Sequence, residues 1–270
     1  MANWILLLPP SEGKASAPAE GKPLSELLTQ KRAHSFPELT EHRLALVAAL
    51  QEVLGRPGKF EELFEVKGPS LQQAIRDNRR ILESPTLPAR ELYNGVLYEA
   101  LNYPTLSKTQ KADFNANTLI FSGLYGVVRP GDRVAPYKLK AGADLGGMIG
   151  KLVHYWRPKL STILRSECRG RVVWNFLPDP HIRMAEIPGD VVAQHHIKFV
   201  KRVVRSGVAE WKTISHHSKA LKGALVRHLL ATEATSPSDL RDFTHPDGYR
   251  YASHLSVENP RCSQIVFAAE

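Results

Sequence analysis

The segment from Phe121 to Leu139, FSGLYGVVRPGDRVAPYKL, constrains the fold of this chain more than any other. It begins as an apolar strand and continues into glycines, prolines, tyrosines and charged residues that follow no regular period. A strand confined to a core does not need Arg129 or Asp132, and a solvent-exposed loop does not need Leu124 or Tyr125. The mixture indicates a strand that ends in a rigid loop presenting polar groups in a cleft. A well-packed turn between two elements is the alternative interpretation.

The composition is that of a soluble globular protein, because 43% of the 270 residues are hydrophobic and 23% are charged. The apolar run Trp4–Leu8 has no basic leader and is too short for a membrane span, so it predicts a buried strand. Cys168 and Cys262 form no CxxC pair, which favours two reduced thiols over a metal site. These features predict a cytoplasmic protein without membrane contact.

Positive charge is concentrated towards the end of the chain. The net charge is +9, and between His195 and Leu230 eight lysines and arginines stand against a single acid, Glu210. A solvated surface usually mixes both signs, so this bias favours a surface that meets an anion. Nucleic acid is a natural partner for such a surface, and a small phosphate-bearing ligand is the other.

Hydrophobic periodicity predicts both helices and strands. Apolar residues at three- and four-residue spacing predict helices over Leu24–Ala33, Pro37–Leu54, Ser70–Leu82, Arg90–Leu101, Met148–Leu164 and Ser218–Leu230. Short apolar or alternating runs predict strands at Trp4–Leu8, Thr118–Phe121, Arg171–Trp174, Val191–His196, Phe199–Val204, Val208–Ile214, Tyr249–His254 and Ser263–Ala268. Pro158 is expected to kink or restart its helix. Because the elements mix without strict βαβ alternation, we predict an α/β (α+β) fold in which helices surround a mixed β-sheet.

The first polar cluster is Ser11-Glu12-Gly13-Lys14, directly after the first strand. Ligands of α/β folds collect at such strand ends, and a lysine, a hydroxyl and glycine amides suit an anion. The upstream glycine and the Lys-Ser/Thr pair of a P-loop are both missing. A solvated loop with no ligand is the alternative.

Tyrosines and cations make up the second group of candidates. Tyr93 and Tyr98 flank an Asn-Gly pair, where they either hold a base or sugar or form the edge of the core. In the central segment we expect Arg129 and Lys138 to contact phosphate while Tyr125 or Tyr137 stacks on a base. The alternative is that Arg129 pairs with Asp132 and only locks the loop. Ser122 ends the strand that leads into this segment.

The last candidates lie in the second half of the chain. Ser218 is a credible N-cap, and a helix N-terminus followed by Lys219 and Lys222 suits a phosphate. Asp179 and His181 follow a predicted strand and form either an acid/base couple or a structural pair. Adjacent histidines on a strand point to opposite faces, so the sequence predicts no metal site and no cofactor.

Five motifs, in order along the chain, resemble those of the YaaA peroxide-stress proteins. They are LLLPPSEGK (Leu6–Lys14), YNGVLYEAL (Tyr93–Leu101), FSGLYGVVRPGDRVAPYKLKAG (Phe121–Gly142), SKALKG (Ser218–Gly223) and GYRYASHLS (Gly248–Ser256). The resemblance implies one mixed α/β domain over residues 1–270, with a helix-hairpin-helix-like element. It also implies a cytoplasmic protein that binds duplex nucleic acid through a basic cleft and limits damage by hydrogen peroxide.

The resemblance further implies which side chains line that cleft. These are Ser11, Lys14, Tyr93, Tyr98, Ser122, Tyr125, Arg129, Asp132, Tyr137, Lys219, Lys222 and Tyr249. It assigns no reaction to them. One departure stands out: relatives usually carry a small or hydroxyl residue near Asp179 and a tyrosine two positions beyond it, where this chain has Pro178 and His181.

Two hypotheses follow. The first is a nucleic-acid-binding stress protein, whose partner is duplex DNA or another nucleic acid. The second is an enzyme that acts on a nucleotide, a nucleobase or another small anionic substrate in the same cleft, with Lys14 as an anion contact and Asp132 or Asp179 as a proton carrier. Both require distant segments to meet, so we expect Lys14, Arg129 and Lys222 to share one depression.

Overall fold

The computed structural model describes residues 3–16, 21–30, 34–205, 208–213, 217–259 and 262–269. The strands are β1 (Trp4–Leu8), β2 (Leu87–Pro88), β3 (Thr118–Ser122), β4 (Gly126–Val128), β5 (Arg133–Val134), β6 (Val172–Asn175), β7 (Ala193–Arg205), β8 (Val208–Thr213), β9 (Arg250–Tyr251) and β10 (Cys262–Ala269). The α-helices are α1 (Leu24–Thr29), α2 (Thr40–Leu54), α3 (Phe60–Phe64), α4 (Gly68–Arg79), α5 (Ala89–Leu92), α6 (Val96–Leu101), α7 (Lys108–Asn117), α8 (Leu152–Glu167), α9 (Asp179–Ile182) and α10 (His217–Thr232). Short 3-10 helices lie at Pro37–Leu39, Tyr103–Thr105, Pro237–Leu240 and Ser253–Leu255.

One mixed sheet runs through the protein. Its strands follow the order β4-β3-β1-β6-β7-β10-β9, with β8 paired to β7. Strands β3, β1, β6, β7 and β10 are parallel, whereas β4, β8 and β9 pair antiparallel with their neighbours. Strands β2 and β5 form a separate antiparallel pair. The prediction of a mixed α/β sheet surrounded by helices is confirmed.

Strand β1 occupies the position at which the direction of the chain across the sheet reverses. The first crossover leads to β3 on one side of β1, and the chain then returns to place β6 on its other side. In open α/β sheets such a switch point leaves a crevice outside the carboxyl ends of the strands. The loops that follow β1, β3 and β6 therefore meet at the edge of the sheet where ligands usually bind.

Helices cover both faces of the central strands. Successive strand residues point to opposite faces. Asn175 shares one face with Leu164 of α8, because both line the same cavity. The preceding residue, Trp174, faces the other side, where its indole Nε1 donates to the carbonyl of Ala234, just beyond α10, at 3.1 Å. All five residues of β1 are buried, as a strand between two helical layers requires.

Some predicted boundaries were wrong. The helix predicted over Arg90–Leu101 is divided into α5 and α6, because Tyr93 leaves the helix to form a bridge with Lys14. Gly95 precedes the first residue of α6 and packs against Ser11. A Cβ added to Gly95 would lie only 2.8 Å from the Cβ of Ser11. A tertiary contact with the first loop has overridden the helical period.

Two further differences have local causes. The helix predicted from Met148 begins at Leu152, after three glycines with positive φ (Gly146, Gly147 and Gly150), and it runs through Pro158 to Glu167 as a single helix. Strands predicted at Val191–His196 and Phe199–Val204 are one strand, β7, because its pairing with β10 is continuous from Gln194 to Lys201. The predicted turn at 205–207 lies partly outside the described residues.

Helices α3 and α7 were not predicted. The start of α7 does carry a sequence signal, since Ser107 and Gln110 form a reciprocal capping box. The helix predicted over Leu24–Ala33 ends at Thr29, and residues 31–33 lie outside the described residues. The late strand predicted at Tyr249–His254 shrinks to Arg250–Tyr251, followed by a 3-10 turn.

Candidate functional site

A cluster of buried tyrosines lies at the carboxyl end of β3. The Tyr137 hydroxyl is 2.7 Å from Ser122 Oγ and 3.2 Å from the Tyr93 hydroxyl. Ser122 Oγ in turn accepts the amide of Tyr125 at 2.9 Å, which turns the chain sharply after the strand. The Tyr98 hydroxyl donates to the Pro9 carbonyl at 2.7 Å. The hydroxyls that the sequence suggested for ligand contact thus bond to protein atoms.

The four tyrosines of this cluster are neutral. Burial raises the pKa of Tyr93, Tyr98, Tyr125 and Tyr137 above the ordinary value. For Tyr125 the hydroxyl also accepts the Ala135 amide at 3.0 Å, which fixes the returning loop of the central segment. The cluster therefore forms a rigid, uncharged floor with satisfied hydrogen bonds.

Lys14 lies directly above this floor. Its Nζ is 4.5 Å from the centre of the Tyr137 ring and 5.8 Å from that of Tyr93. It donates to the carbonyl oxygens of Ser11 at 3.1 Å and Glu12 at 3.4 Å, so its own loop holds it in place. Burial and the charge of Lys138 lower the pKa of Lys14 to about 8.

Further lysines gather around Lys14. Lys138, whose side chain is 16% exposed, lies 3.3 Å from Glu12 Oε2. Burial acts to raise the pKa of Glu12, but the charges of Lys138, Lys140 and Lys219 outweigh it and hold that pKa below its ordinary value. Glu12 therefore sits among ammonium groups that come from separate segments, and Lys140 also pairs with the exposed Glu65.

Lys222 extends this group towards β6. Its Nζ donates to the carbonyl of Phe176, the first residue after the strand, at 2.7 Å. Burial and the charge of Lys219 lower the pKa of Lys222 to about 8. We refer to Lys14, Lys138, Lys140, Lys219 and Lys222 together as the lysine cluster.

A close contact between helices positions the last two of these lysines. Gly223 of α10 packs against α6 so tightly that a Cβ would lie 2.1 Å from the Leu97 carbonyl oxygen. Only glycine allows this approach, and it brings the first turns of α10 up to the loop after β1. The SKALKG motif thus has a packing role besides its charges.

Histidines border the lysine cluster on the β6 side. Burial and the charge of Lys222 lower the pKa of His181 to about 4, so the ring is neutral. Its buried Nδ1 has no hydrogen-bond partner among the described residues. Asp179 is exposed and acts electrostatically on His196 rather than on His181. The proposed Asp179–His181 acid/base couple is therefore not formed.

Arg129 lies near the amino ends of the central parallel strands, whereas Lys14 lies beyond the carboxyl end of β1. Strand β4 runs back along β3, with Val128 opposite Ile120, and so carries Arg129 towards the start of β3. Its guanidinium donates to the Ala116 carbonyl at 2.6 Å and to Glu167 Oε2 at 2.7 Å. The expectation that Arg129 joins Lys14 and Lys222 was wrong because the hairpin reverses the chain.

Asp132 is engaged in the loop after β4. Its carboxylate accepts the Ser35 amide at 3.0 Å, the Ser35 hydroxyl at 2.7 Å and the Arg129 amide at 2.9 Å. It therefore bonds to the backbone of Arg129 rather than pairing with its guanidinium. These contacts leave it buried in a structural position, away from the lysine cluster.

The two remaining predicted residues lie at different ends of the sheet. Ser11 is in the loop after β1, where its hydroxyl donates to the Gly13 carbonyl. Tyr249 lies just before β9, and the centre of its ring is 6.2 Å from the centre of the Phe199 ring. Strand β9 is four places from β1 in the sheet, or roughly 19 Å at the usual strand spacing. Tyr249 is thus separate from the other tyrosines.

Asn78 is a residue of the site that sequence reasoning missed. Its side-chain amide donates to the Lys138 carbonyl at 2.7 Å and accepts the Lys138 amide at 3.1 Å, holding that segment from α4. The sequence signal was weak: Asn78 lies four residues after Ala74, and these two are the buried residues of α4. Glu12 and Lys140 were also not selected.

The described residues contain no group of three or more His, Cys, Asp or Glu side chains that could hold a metal ion. None of the helices described is long and apolar enough to cross a membrane.

Comparison with known proteins identifies the family. A family model described as "Peroxide stress protein YaaA" matches residues 5–255, which include every lysine of the cluster. The chain belongs to the YaaA peroxide stress protein family. The loop after β1, the tyrosine cluster and the start of α10 all lie within the residues that this family model matches.

Curated relatives of this YaaA-family chain carry the name UPF0246 protein. One from Streptomyces coelicolor is 33% identical over 261 residues, covering 95% of each chain. Another, from Corynebacterium efficiens, is 30% identical over 248 residues, covering 90% of this chain and 93% of the relative. A third, from Methylibium petroleiphilum, is 31% identical over 182 residues, or 64% of this chain and 66% of the relative.

Proposed function

We propose that this YaaA-family protein is a cytoplasmic nucleic-acid-binding protein that seats backbone phosphates on the lysine cluster, with duplex DNA as its partner. In this role it limits oxidative damage to DNA during peroxide stress. The family description supplies the physiological setting. The structural support comes from the convergence of lysines from the loop after β1, the central segment and α10.

The observation that carries the proposal is the electrostatic state of Lys14 and Lys222. Both pKa values are lowered to about 8, mainly by burial and further by a neighbouring lysine. Partly buried ammonium groups held close to one another repel each other, and an anion placed between them reduces that repulsion. The phosphates of a nucleic-acid backbone carry regularly spaced negative charges, which matches a cluster of lysines contributed by several segments of the chain.

Direct binding measurements with charge variants test this proposal. Fluorescence anisotropy with a labelled duplex should show binding by the wild-type protein. Lys138→Gln and Lys219→Gln should each raise Kd roughly tenfold, since each removes one charged contact. Arg169→Gln is the matched control: it also removes one positive charge, from a side chain that is 69% exposed and paired with Asp190. Its Kd should be unchanged.

Two results would count against the proposal. The first is no binding of duplex DNA by the wild-type protein at moderate salt. The second is an equal loss of affinity in Arg169→Gln and Lys138→Gln, which would assign binding to net charge alone. A duplex RNA of the same sequence, tested in parallel, establishes whether DNA is preferred.

One observation favours a second candidate, a reaction on a small anionic substrate. With a pKa of about 8, a sizeable share of Lys14 is a neutral amine near neutral pH, and lysine amines of this kind serve as bases or nucleophiles. Lys14 then takes the proton itself, because Asp132 is committed to its loop. Mass spectrometry of metabolite mixtures incubated with wild-type protein and Lys14→Gln tests this: a turnover retained in Lys14→Gln would reject it.

A further inference from the structure

A cavity of about 270 Å³ lies on the α8 face of the sheet, at the carboxyl ends of β1, β3 and β6. Seven of its ten lining residues are apolar, and its polar side chains are Asn175, Gln194 and Glu186. The apolar lining residues are Leu7, Phe121, Leu164, Leu177, Ile182, Ala185 and Ile187. The cavity differs from the lysine cluster, because none of the five cluster lysines is among its lining residues.

Asn175 supplies an oriented hydrogen-bond donor in this cavity. The residue is 1% exposed, and its Oδ1 accepts the Leu177 amide at 3.0 Å, which fixes the orientation of the side-chain amide. No acceptor within the described part of the chain meets its Nδ2. Because Asn175 lines the cavity, this oriented donor is available to an acceptor atom of a ligand.

Gln194 faces the same space from the start of β7. It is half-buried and its side chain makes no hydrogen bond to the described residues, so its amide offers both a donor and an acceptor. Asn175 and Gln194 come from adjacent strands, since Gln194 pairs with Val173 two residues before Asn175. The two amides are therefore diagonal neighbours on the same face of the sheet, and both line the cavity.

The charge at the cavity selects against anions. Glu186 is the charged residue of the lining, and it is ion-paired with Arg157 of α8. The Glu186 amide also donates to Ser161 Oγ at 2.9 Å, which ties this wall to α8. No lysine or arginine of the described residues is among the lining residues. Because Glu186 is already paired with Arg157, the lining offers no free cation among the described residues to balance a phosphate, and this favours a neutral ligand.

We propose that this cavity binds a neutral nucleobase, with the Asn175 and Gln194 amides on the edge of the ring. A cavity of 150 Å³ accommodates benzene, so about 270 Å³ has room for a one- or two-ring heterocycle. Asparagine and glutamine amides match the donor and acceptor pattern of base edges. Leu7, Phe121 and Leu164 provide apolar contact for the ring. This site does not depend on the binding of nucleic acid at the lysine cluster.

Titration with free bases tests the site. Adenine, hypoxanthine, cytosine and uracil are each added to the full-length protein, and binding is followed by saturation-transfer NMR and calorimetry. At least one base should bind saturably. Ala185→Leu, which fills the cavity, and Gln194→Leu, which keeps the size but removes the amide, should each weaken that binding by roughly tenfold or more. Thermal melting confirms that each variant is folded.

The control variant is Lys138→Gln, which removes a charge from the lysine cluster and should leave base binding unchanged. If Ala185→Leu does not fold, Ile187→Phe fills the same space from the next segment. The proposal is overturned if none of the four bases binds at millimolar concentration. It is also overturned if binding survives both Gln194→Leu and a folded filling variant, or is lost only in Lys138→Gln.

Discussion

The ammonium of Lys14 lies 4.5 Å from the centre of the Tyr137 ring, whose hydroxyl is 2.7 Å from Ser122 Oγ. This contact joins the loop after the first strand to the central segment, which lies more than a hundred residues later in the chain. The ammonium has a lowered pKa and lies over neutral tyrosine rings. The hydroxyl groups beneath it are hydrogen-bonded to one another. It therefore links the packing of the core directly to the charge of the proposed binding surface.

Removing the Tyr137 hydroxyl should destabilise the protein. Tyr137→Phe removes the hydrogen bonds of the Tyr137 hydroxyl to Ser122 Oγ and to the Tyr93 hydroxyl, both of which are buried. The free energy of unfolding should fall by about 1–3 kcal/mol. Tyr103→Phe is the control, because that half-buried hydroxyl bonds to Asn115 at 2.9 Å and its loss should cost less than about 1 kcal/mol. Urea denaturation measures both. Equal costs would contradict a special role for the buried cluster.

Affinity for duplex DNA should fall as the pH rises above about 8. In the free protein, burial and the charge of Lys138 set the pKa of Lys14 at about 8. Phosphates stabilise the ammonium and raise that pKa in the complex. Above pH 8 the complex therefore keeps a proton on Lys14 that the free protein loses. The contribution of Lys14 to affinity is complete below pH 8 and is lost as the pH rises towards the higher pKa of the complex.

Lys14→Arg provides the comparison for this pH profile. A guanidinium stays charged over the whole range, so the variant should show a flatter decline above pH 8 than the wild-type protein does. Kd is measured by anisotropy at half-unit intervals at constant ionic strength. Superimposable profiles for the two proteins would show that Lys14 does not titrate on binding.

Gly223→Ala should disrupt the junction between α10 and α6. The added Cβ would lie 2.1 Å from the Leu97 carbonyl oxygen, so the helices must separate, at an expected cost of about 3 kcal/mol or more. DNA affinity should fall as well, because Lys219 and Lys222 move with α10. Gly142→Ala is the control, with no heavy atom within 4 Å of the added Cβ. A melting temperature of Gly223→Ala equal to that of the control would refute the close approach.

Arg129→Gln should reduce stability without reducing DNA affinity. The substitution removes the contacts of Arg129 with Glu167 and the Ala116 carbonyl, which should cost about 1–2 kcal/mol. Arg129 lies near the amino ends of the central strands and Lys14 beyond the carboxyl end of β1. The Kd of the variant for duplex DNA should therefore remain within about twofold of the wild-type value. Denaturation and anisotropy on the same preparation separate the two effects. A tenfold rise in Kd would place Arg129 at the binding surface after all.

Local patterns were sufficient to predict much of the fold. Strand β1 was predicted to the residue because a short apolar run beside two prolines has few other solutions. Tertiary contacts decided the rest. Periodicity cannot reveal that Gly95 must meet Ser11, nor that β7 continues through His196 because β10 supports it.

The candidate site could be predicted by segment but not by side chain. Lys14, Lys138, Lys219 and Lys222 were all selected, since clustered charge beside strand ends and a helix start is visible in a sequence. Arg129 was misplaced because spacing along the chain does not show that β4 doubles back. Asn78 was missed because an amide that pairs with a distant backbone leaves almost no local signal.

The salt dependence of DNA binding tests the central claim most directly. The logarithm of the binding constant is plotted against the logarithm of the salt concentration for the wild-type protein, for Lys138→Gln combined with Lys219→Gln, and for Arg169→Gln. If the lysine cluster holds phosphates, the slope of the double variant should be shallower by about 1.8, or 0.9 for each lost contact, while that of Arg169→Gln equals the wild-type slope. Parallel lines for all three proteins would contradict the account.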